Sequence, residues 1–408
     1  MKFALVSNVL PPGDSSHAAV IYRLLRDLDP RTYCLISSGA PPAGAAASQP
    51  GGLAGAHYFL RPTPRLTRGY RMGLGWWRER LNFAIGVLPR ARAIARILRR
   101  EQCDAVVVCT GGIEILDFPA AYLASRWTGA RFYPYLLDRY GHMVVHVVGE
   151  HIFARLEPAM LKGAAAVIVP NEFQRDEVRR RHGLDALVVH VPCDLAAYAG
   201  DGPDAHAGVA AADRERRIVY TGSVGPLHYE AFRALLAAMA SLERRDVRLH
   251  VYTPQPAARL EREGIRGPVL FHPPQPLAAV PAVQQQADVL FLPLALHAAH
   301  PDIVRTAGPG KMGEYLAAGP PILVHAPRDS FVASYFREHQ CGIVVDRADV
   351  GELAAALERA LTDRELAAQL RVRARARAAA DFDLAIAQRQ FARAIGLPAA
   401  PPARAASH

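Results

Sequence analysis

Residues 307 to 324 read Ala-Gly-Pro-Gly-Lys-Met-Gly-Glu-Tyr-Leu-Ala-Ala-Gly-Pro-Pro-Ile-Leu-Val, a glycine turn, a short helical run and the start of an apolar strand. Gly308 and Gly310 flank Pro309, so a phosphate could approach this backbone closely, and the first turn of a helix offers it free N–H groups and a positive dipole end. Lys311 adds a full positive charge. Glu314, one turn further, projects from the same end and can accept hydrogen bonds from two vicinal hydroxyls, as a carboxylate does with a ribose. Together these features describe a pocket for a nucleoside diphosphate. They also suit a helix with ordinary capping, in which Glu314 sits favourably near the N-terminus and Lys311 is solvated.

Outward from this segment the chain alternates strand and helix. Beyond residue 215, strands are expected at 217–221, 248–252, 269–272, 289–292, 322–325 and 342–345. Helical patterns at 229–242, 277–286, 311–318, 330–339 and 350–361 separate them. The first half repeats the order, with strands at 2–7, 33–37, 105–109, 131–136, 164–169 and 188–191 and helices at 18–28, 91–100 and 119–127. Continuous apolar runs such as 105–109 suit strands buried on both faces of a parallel sheet. The expected fold class is therefore α/β, with two doubly wound Rossmann-like domains facing a cleft. The boundaries fall at 1–193, a linker 194–215 without apolar runs, 216–380, a C-terminal helix 381–398, and a tail 399–408.

Composition narrows the class. The chain has 408 residues, 51% apolar and 21% charged, which excludes disordered and collagen-like proteins and exceeds what a single core usually reaches. No apolar run approaches the ~20 residues needed to span a bilayer. Five scattered cysteines without a Cys-x-x-Cys pair argue against a disulfide framework or a zinc site and for a cytoplasmic setting. The net charge of +10 is uneven: residues 61–101 hold 11 arginines against Glu79 and Glu101. Arginines beside Tyr70, Trp76 and Trp77 in 61–80 suit an anionic membrane surface on the cytoplasmic face. The later arginines, 90–100, suit a solvated helix face instead, and the tryptophans could also pack against the first domain. No nucleic-acid motif accompanies the charge, so no nucleic-acid partner is expected.

The segment 307–324, with strands before and after it, resembles the donor-binding half of GT-B fold glycosyltransferases, especially the family 4 type. Residues 3–28 resemble that family's first strand and loop, 155–191 its Glu-Pro, Ala-rich and Pro-Asn strand region, and 217–225 the strand and glycine turn that open the second domain. The resemblance implies a transferase moving a sugar from a nucleotide diphosphate sugar, UDP- or GDP-linked, to a glycan, lipid-linked or small-molecule acceptor, with retention and with no metal or other cofactor. It implies that Glu314 binds the ribose, that Gly308, Gly310 and Lys311 face the diphosphate, that Gly222 and Ser223 face the departing phosphate, and that Gly13 approaches the sugar or acceptor.

Three features depart from the family pattern. Thr306 stands where a second glutamate is common, and Pro226, Leu227 and His228 stand where an arginine and a lysine commonly follow the glycine turn. Arg305 and Lys311 are the expected substitutes for those cations. Leu137 replaces a common histidine, which leaves Asp138 and His142 as groups facing the sugar or as an ordinary strand-end turn. The Asp381-Phe382-Asp383 triplet reads as helix capping by Asp381, not as a metal site. His297 and His300, with Asp302 near, have a spacing that could bind metal, but without a convincing third ligand the two histidines read as lining of the donor pocket. Two other functions remain open at this point: an epimerase on the same fold, and a catalytically degenerate nucleotide-binding subunit, to which Thr306 points.

Overall fold

The computed structural model describes residues 1–11, 15–38, 52–61, 75–110, 115–137, 150–200 and 215–397. Two compact units divide the chain, Met1–His190 with Ala387–His408, and Val191–Ile386.

In the first unit the strands are β1 (Phe3–Val6), β2 (Tyr33–Ser37), β3 (Ala56–Phe59), β4 (Ala105–Thr110), β5 (Arg131–Leu136), β6 (Val167–Val169) and β7 (Ala186–Val188). They form one sheet in the order β3-β2-β1-β4-β5-β6-β7, every pair parallel. Helices α1 (Ser16–Leu25), α2 (Gly75–Arg100), α3 (Asp117–Thr128), α4 (Glu150–Lys162) and α5 (Glu172–His182) make the connections. All four residues of β1 and all six of β4 are buried, as parallel strands covered on both faces require.

The helix expected over 91–100 begins sixteen residues earlier, because α2 runs through Pro89. Phe83, Val87, Ala91, Ile94 and Leu98 are all buried, one per turn on the same stripe, so burial carries the helix past a residue that usually ends one. The strand Ala56–Phe59, half-exposed at the sheet edge and too weakly apolar to stand out, adds a seventh strand beyond the expected six.

The second unit holds β8 (Arg216–Thr221), β9 (Val247–Tyr252), β10 (Val269–His272), β11 (Val289–Pro293), β12 (Ile322–His325) and β13 (Ile343–Val345), also all parallel, in the order β10-β9-β8-β11-β12-β13. Its helices are α6 (Pro226–Ser241), α7 (Ala257–Arg262), α8 (Val280–Gln285), α9 (Pro301–Thr306), α10 (Met312–Ala318), α11 (Phe331–His339), α12 (Val350–Thr362) and α13 (Arg364–Arg377), followed by α14 (Leu384–Ile395). The chain winds outward from β8 to β10 and then returns to the other side of β8 at β11. The strand order therefore reverses between β8 and β11, the place where open α/β sheets leave a crevice at their carboxyl ends. Leu235, Phe232 and Leu353 of α6 and α12 close one apolar layer over Ile218, Leu249 and Phe291.

Asp381 does not cap a helix. It lies in a π-helical turn over Ala378–Phe382, ion-paired to Arg377 and accepting a hydrogen bond from Tyr335 Oη at 2.5 Å. The cap is Asp383, whose Oδ1 accepts from the N–H groups of Ala385 at 2.9 Å and Ile386 at 3.2 Å.

Candidate functional site

Residues from three elements converge at the carboxyl end of β8. The strand ends at Thr221 and turns at Gly222, whose φ of +119° is strained for any residue with a side chain. A Cβ at Gly222 would also stand 3.2 Å from Lys311 Cε and 3.3 Å from its Nζ. The lysine stem thus lies along the bare glycine turn. Its ammonium donates to Tyr220 Oη at 2.9 Å, which donates in turn to the Ser223 carbonyl at 2.5 Å. Lys311 Nζ also lies 4.2 Å from the Tyr220 ring centroid, within cation–π range.

Burial lowers the Lys311 pKa to about 8, with the Glu314 charge opposing the fall. The group is held charged at neutral pH, but only by a small margin. His228, at a position where the resemblance leads us to expect a cation, is held neutral: burial first, and then Lys311, push its pKa down to about 3. Its Nδ1 accepts from the Gly225 N–H at 3.1 Å, closing the first turn of α6. The positive charge beside this turn therefore comes from Lys311, reaching across 91 positions of sequence.

Lys311 immediately precedes α10, and Glu314 lies in that helix's first turn. The Met312 N–H bonds to the Pro309 carbonyl at 2.9 Å, which tightens the turn and removes one donor from the expected cradle. Among the described residues, the peptide N–H groups of Gly308, Gly310 and Lys311 make no hydrogen bond within the protein.

Behind Glu314 stands a residue that the sequence reading missed. Gln284 of α8 is completely buried, donates from Nε2 to Glu314 Oε2 at 3.2 Å and to Thr221 Oγ1 at 2.9 Å, and accepts from Tyr198 Oη at 2.7 Å. Its amide ties the carboxylate to the end of β8. Tyr315 adds a second tie, its Oη accepting from the Thr221 N–H at 3.0 Å. Gln255 performs the same service for the turn, accepting from the Val224 N–H at 2.8 Å. No local signal separates Gln284 from its neighbours Gln285 and Gln286; only contacts 30 and 63 positions away do.

The structure thus brings Gly222, Ser223, Lys311 and Glu314 around one strand end. Arg305 and Thr306 lie in the last turn of α9, the short helix before the glycine turn. The Thr306 hydroxyl donates to the Asp302 carbonyl at 3.1 Å, one helical turn back. His297 donates its N–H to Glu230 Oε2 at 2.9 Å and places Nδ1 2.7 Å from Oε1 of the same carboxylate, while His300 precedes α9. Among the described residues no group of three or more His, Cys, Asp or Glu could hold a metal ion. Gly13, Asp138 and His142 lie outside the described residues.

In the first unit, the polar cluster at the carboxyl ends of β1 and β2 is built on Asp117. Buried Arg90 pairs with it at 2.8 Å, and Ser38 Oγ donates to its other oxygen at 2.7 Å.

Residues 215–363 match the family model described as glycosyl transferases group 1. Among solved structures, HepE from Anabaena in complex with UDP and glucose superposes with a TM-score of 0.70 at 14% identity, over 97% of this chain and 99% of that one. Sucrose-phosphate synthase from Thermosynechococcus elongatus gives 0.66 at 16% identity, over 96% and 97%. A glycosyltransferase from Rickettsia africae gives 0.68 at 12%, over 97% of both. A comparison with curated proteins returns no match. The two parallel sheets and these superpositions define the GT-B fold, and residues 215–363 are similar to the group 1 glycosyl transferases. That similarity lies within the second unit.

Proposed function

We propose that the protein transfers a sugar from a UDP-sugar to an acceptor bound by the first unit, with retention and without a metal ion. The observation that carries this reading is the placement of Lys311 against Gly222 and Ser223, with Glu314 one turn away. In this reading the diphosphate lies against the glycine turn, the Lys311 ammonium and the N–H groups of Gly308, Gly310 and Lys311 meet its oxygens, and Glu314 accepts from the ribose hydroxyls. When the sugar–phosphate bond breaks, negative charge grows on the leaving diphosphate, and preorganised donors in a partly dry site stabilise that charge more than they stabilise the ground state. The UDP in the HepE complex supports uridine as the base. Nothing in the comparisons favours the epimerase alternative.

A thermal-shift panel of UDP-, GDP-, ADP- and dTDP-sugars tests the donor. UDP-sugar at a hundred times its dissociation constant should stabilise the fold by about 2.7 kcal/mol. A panel in which UDP-sugars produce no shift and another base does would overturn the choice of uridine. A panel with no shift at all would remove the donor pocket.

For the acceptor we propose a lipid-linked molecule at an anionic surface. Most of 61–80 lies outside the described residues, but α2 continues from it. Leu81, Ile85 and Leu88 are 49%, 45% and 44% exposed on the face of α2 that continues into exposed Arg92 and Arg96. No described helix is long and apolar enough to cross a membrane, so this face would lie on the surface. Co-sedimentation should favour anionic over zwitterionic vesicles, weaken with salt, and fall at least about tenfold when all three aliphatics become glutamine. Binding unchanged in that variant would exclude the face.

A further inference from the structure

A pair of thiols lies at the amino end of the first sheet, away from the carboxyl ends where α/β folds place their ligands. Cys34 is the second residue of β2, and Cys103 stands two residues before β4. Their sulfurs are 3.7 Å apart, so a bond of ordinary length needs a closure of about 1.7 Å. Cys34 is fully buried, whereas Cys103 is partly exposed and lines an open depression of about 590 Å³ with Asp104, Thr128 and Arg131.

The surroundings make the two sulfurs unequal. The hydrogen bond from Cys34, aided by the charge of Lys2, holds the Cys103 thiol below its usual range, while the same bond and burial push Cys34 up. Lys2 is fixed beside them by Glu101, which accepts from its Nζ at 2.5 Å and also accepts from Tyr58 Oη. Burial alone pushes Cys109 up to about 12, and burial is the leading cause of the same rise at Cys341. An accessible thiol that ionises easily, with a second thiol in contact behind it, is the arrangement that thiol–disulfide exchange requires.

We propose that Cys103 and Cys34 form an exchange site for a low-molecular-weight disulfide of the glutathione type, which enters through the depression beside Arg131. The Cys103 thiolate attacks one sulfur of the disulfide, forming a mixed disulfide and releasing one thiolate. Cys34 then gives up its proton and attacks Cys103 Sγ, releasing the second thiolate. In the balance two protein thiols are oxidised to one disulfide, and one small disulfide is reduced to two thiols. Arg131, in the wall of the depression, supplies a cation for a carboxylate of the incoming peptide. The new bond would close a loop between positions 69 apart, joining β2 to the entry of β4 across β1, which pairs with both.

Oxidised glutathione added to the full chain provides the test. The native protein should lose two of its five thiols, with Cys34 joined to Cys103 in the peptide map and dithiothreitol restoring both. Its Tm should rise, because the cross-link restricts the unfolded chain. Cys34→Ser should stop at one glutathionyl group on Cys103, with Cys34→Ala as the second variant if serine loosens the buried position. Cys103→Ser should keep its four thiols. In the wild type, iodoacetamide should label Cys103 at least about tenfold faster than Cys109, Cys193 or Cys341. A wild-type thiol count that oxidised glutathione leaves unchanged, a Cys34 variant that traps no adduct, or equal labelling of all five cysteines would each overturn the proposal.

Discussion

Glu314→Ala is expected to weaken donor binding about 100-fold while leaving the fold intact. In the proposed donor site the carboxylate accepts from the ribose, and hydrogen bonds to a charged acceptor contribute about 1.5 to 3 kcal/mol each, so losing a pair held by one group costs about 3 kcal/mol. The side chain is half-buried at the helix start, and Gln284 retains Thr221 and Tyr198 as partners, so no buried amide is left wholly unpaired. Gln284→Leu should show a smaller part of the same loss, because the carboxylate then turns freely. Calorimetric titration of both variants with UDP checks the pair. A Glu314→Ala protein that binds UDP as tightly as the wild type would remove the ribose role.

Lys311→Met should cost about 2 to 3 kcal/mol of diphosphate affinity, roughly 30- to 150-fold, and should change the pH profile as well. With its pKa lowered to about 8, Lys311 in the unliganded protein loses its proton as pH rises through 8, and a bound diphosphate favours the charged form. Affinity is therefore full below pH 8 and falls above it, with one proton taken up on binding. In Lys311→Met this alkaline fall should vanish. Stability moves the other way. A folded-state pKa below the unfolded 10.5 means that the unfolded chain holds more protons between about pH 8 and 10.5, so the unliganded wild type gains stability across that window. UDP titrations from pH 6 to 10 read the first effect, and an alkaline fall that persists in the variant would assign it to another group.

Much of this architecture is legible in the sequence because parallel strands are nearly uninterrupted apolar runs, as at Ala105–Thr110 and Val289–Pro293. The half-exposed edge strand Ala56–Phe59 lacks that pattern, and Pro89 hides the first part of α2 even though its buried stripe continues on both sides. The glycine turn and Glu314 were visible as a local pattern, whereas the partners that organise them were not. Lys311 meets Tyr220 from 91 positions away, and Gln284 meets Glu314 and Thr221 from 30 and 63. Long-range hydrogen bonds of this kind leave no periodicity to read. The Asp381-Phe382-Asp383 triplet shows the same limit: both aspartates suit a cap, and only the π-helical turn at Ala378–Phe382 decides that Asp383 makes it.

The proposed donor site depends most on one carboxylate holding the ribose of the same nucleotide whose phosphates Lys311 holds. Calorimetry of UDP against 2′,3′-dideoxy-UDP, on the wild type and on Glu314→Ala, tests that dependence directly. The wild type should prefer the ribonucleotide by roughly 100-fold, and Glu314→Ala should bind the two ligands alike, because the coupling lies between that side chain and those hydroxyls. A preference of the same size in both proteins would show that the hydroxyls are read by a different residue.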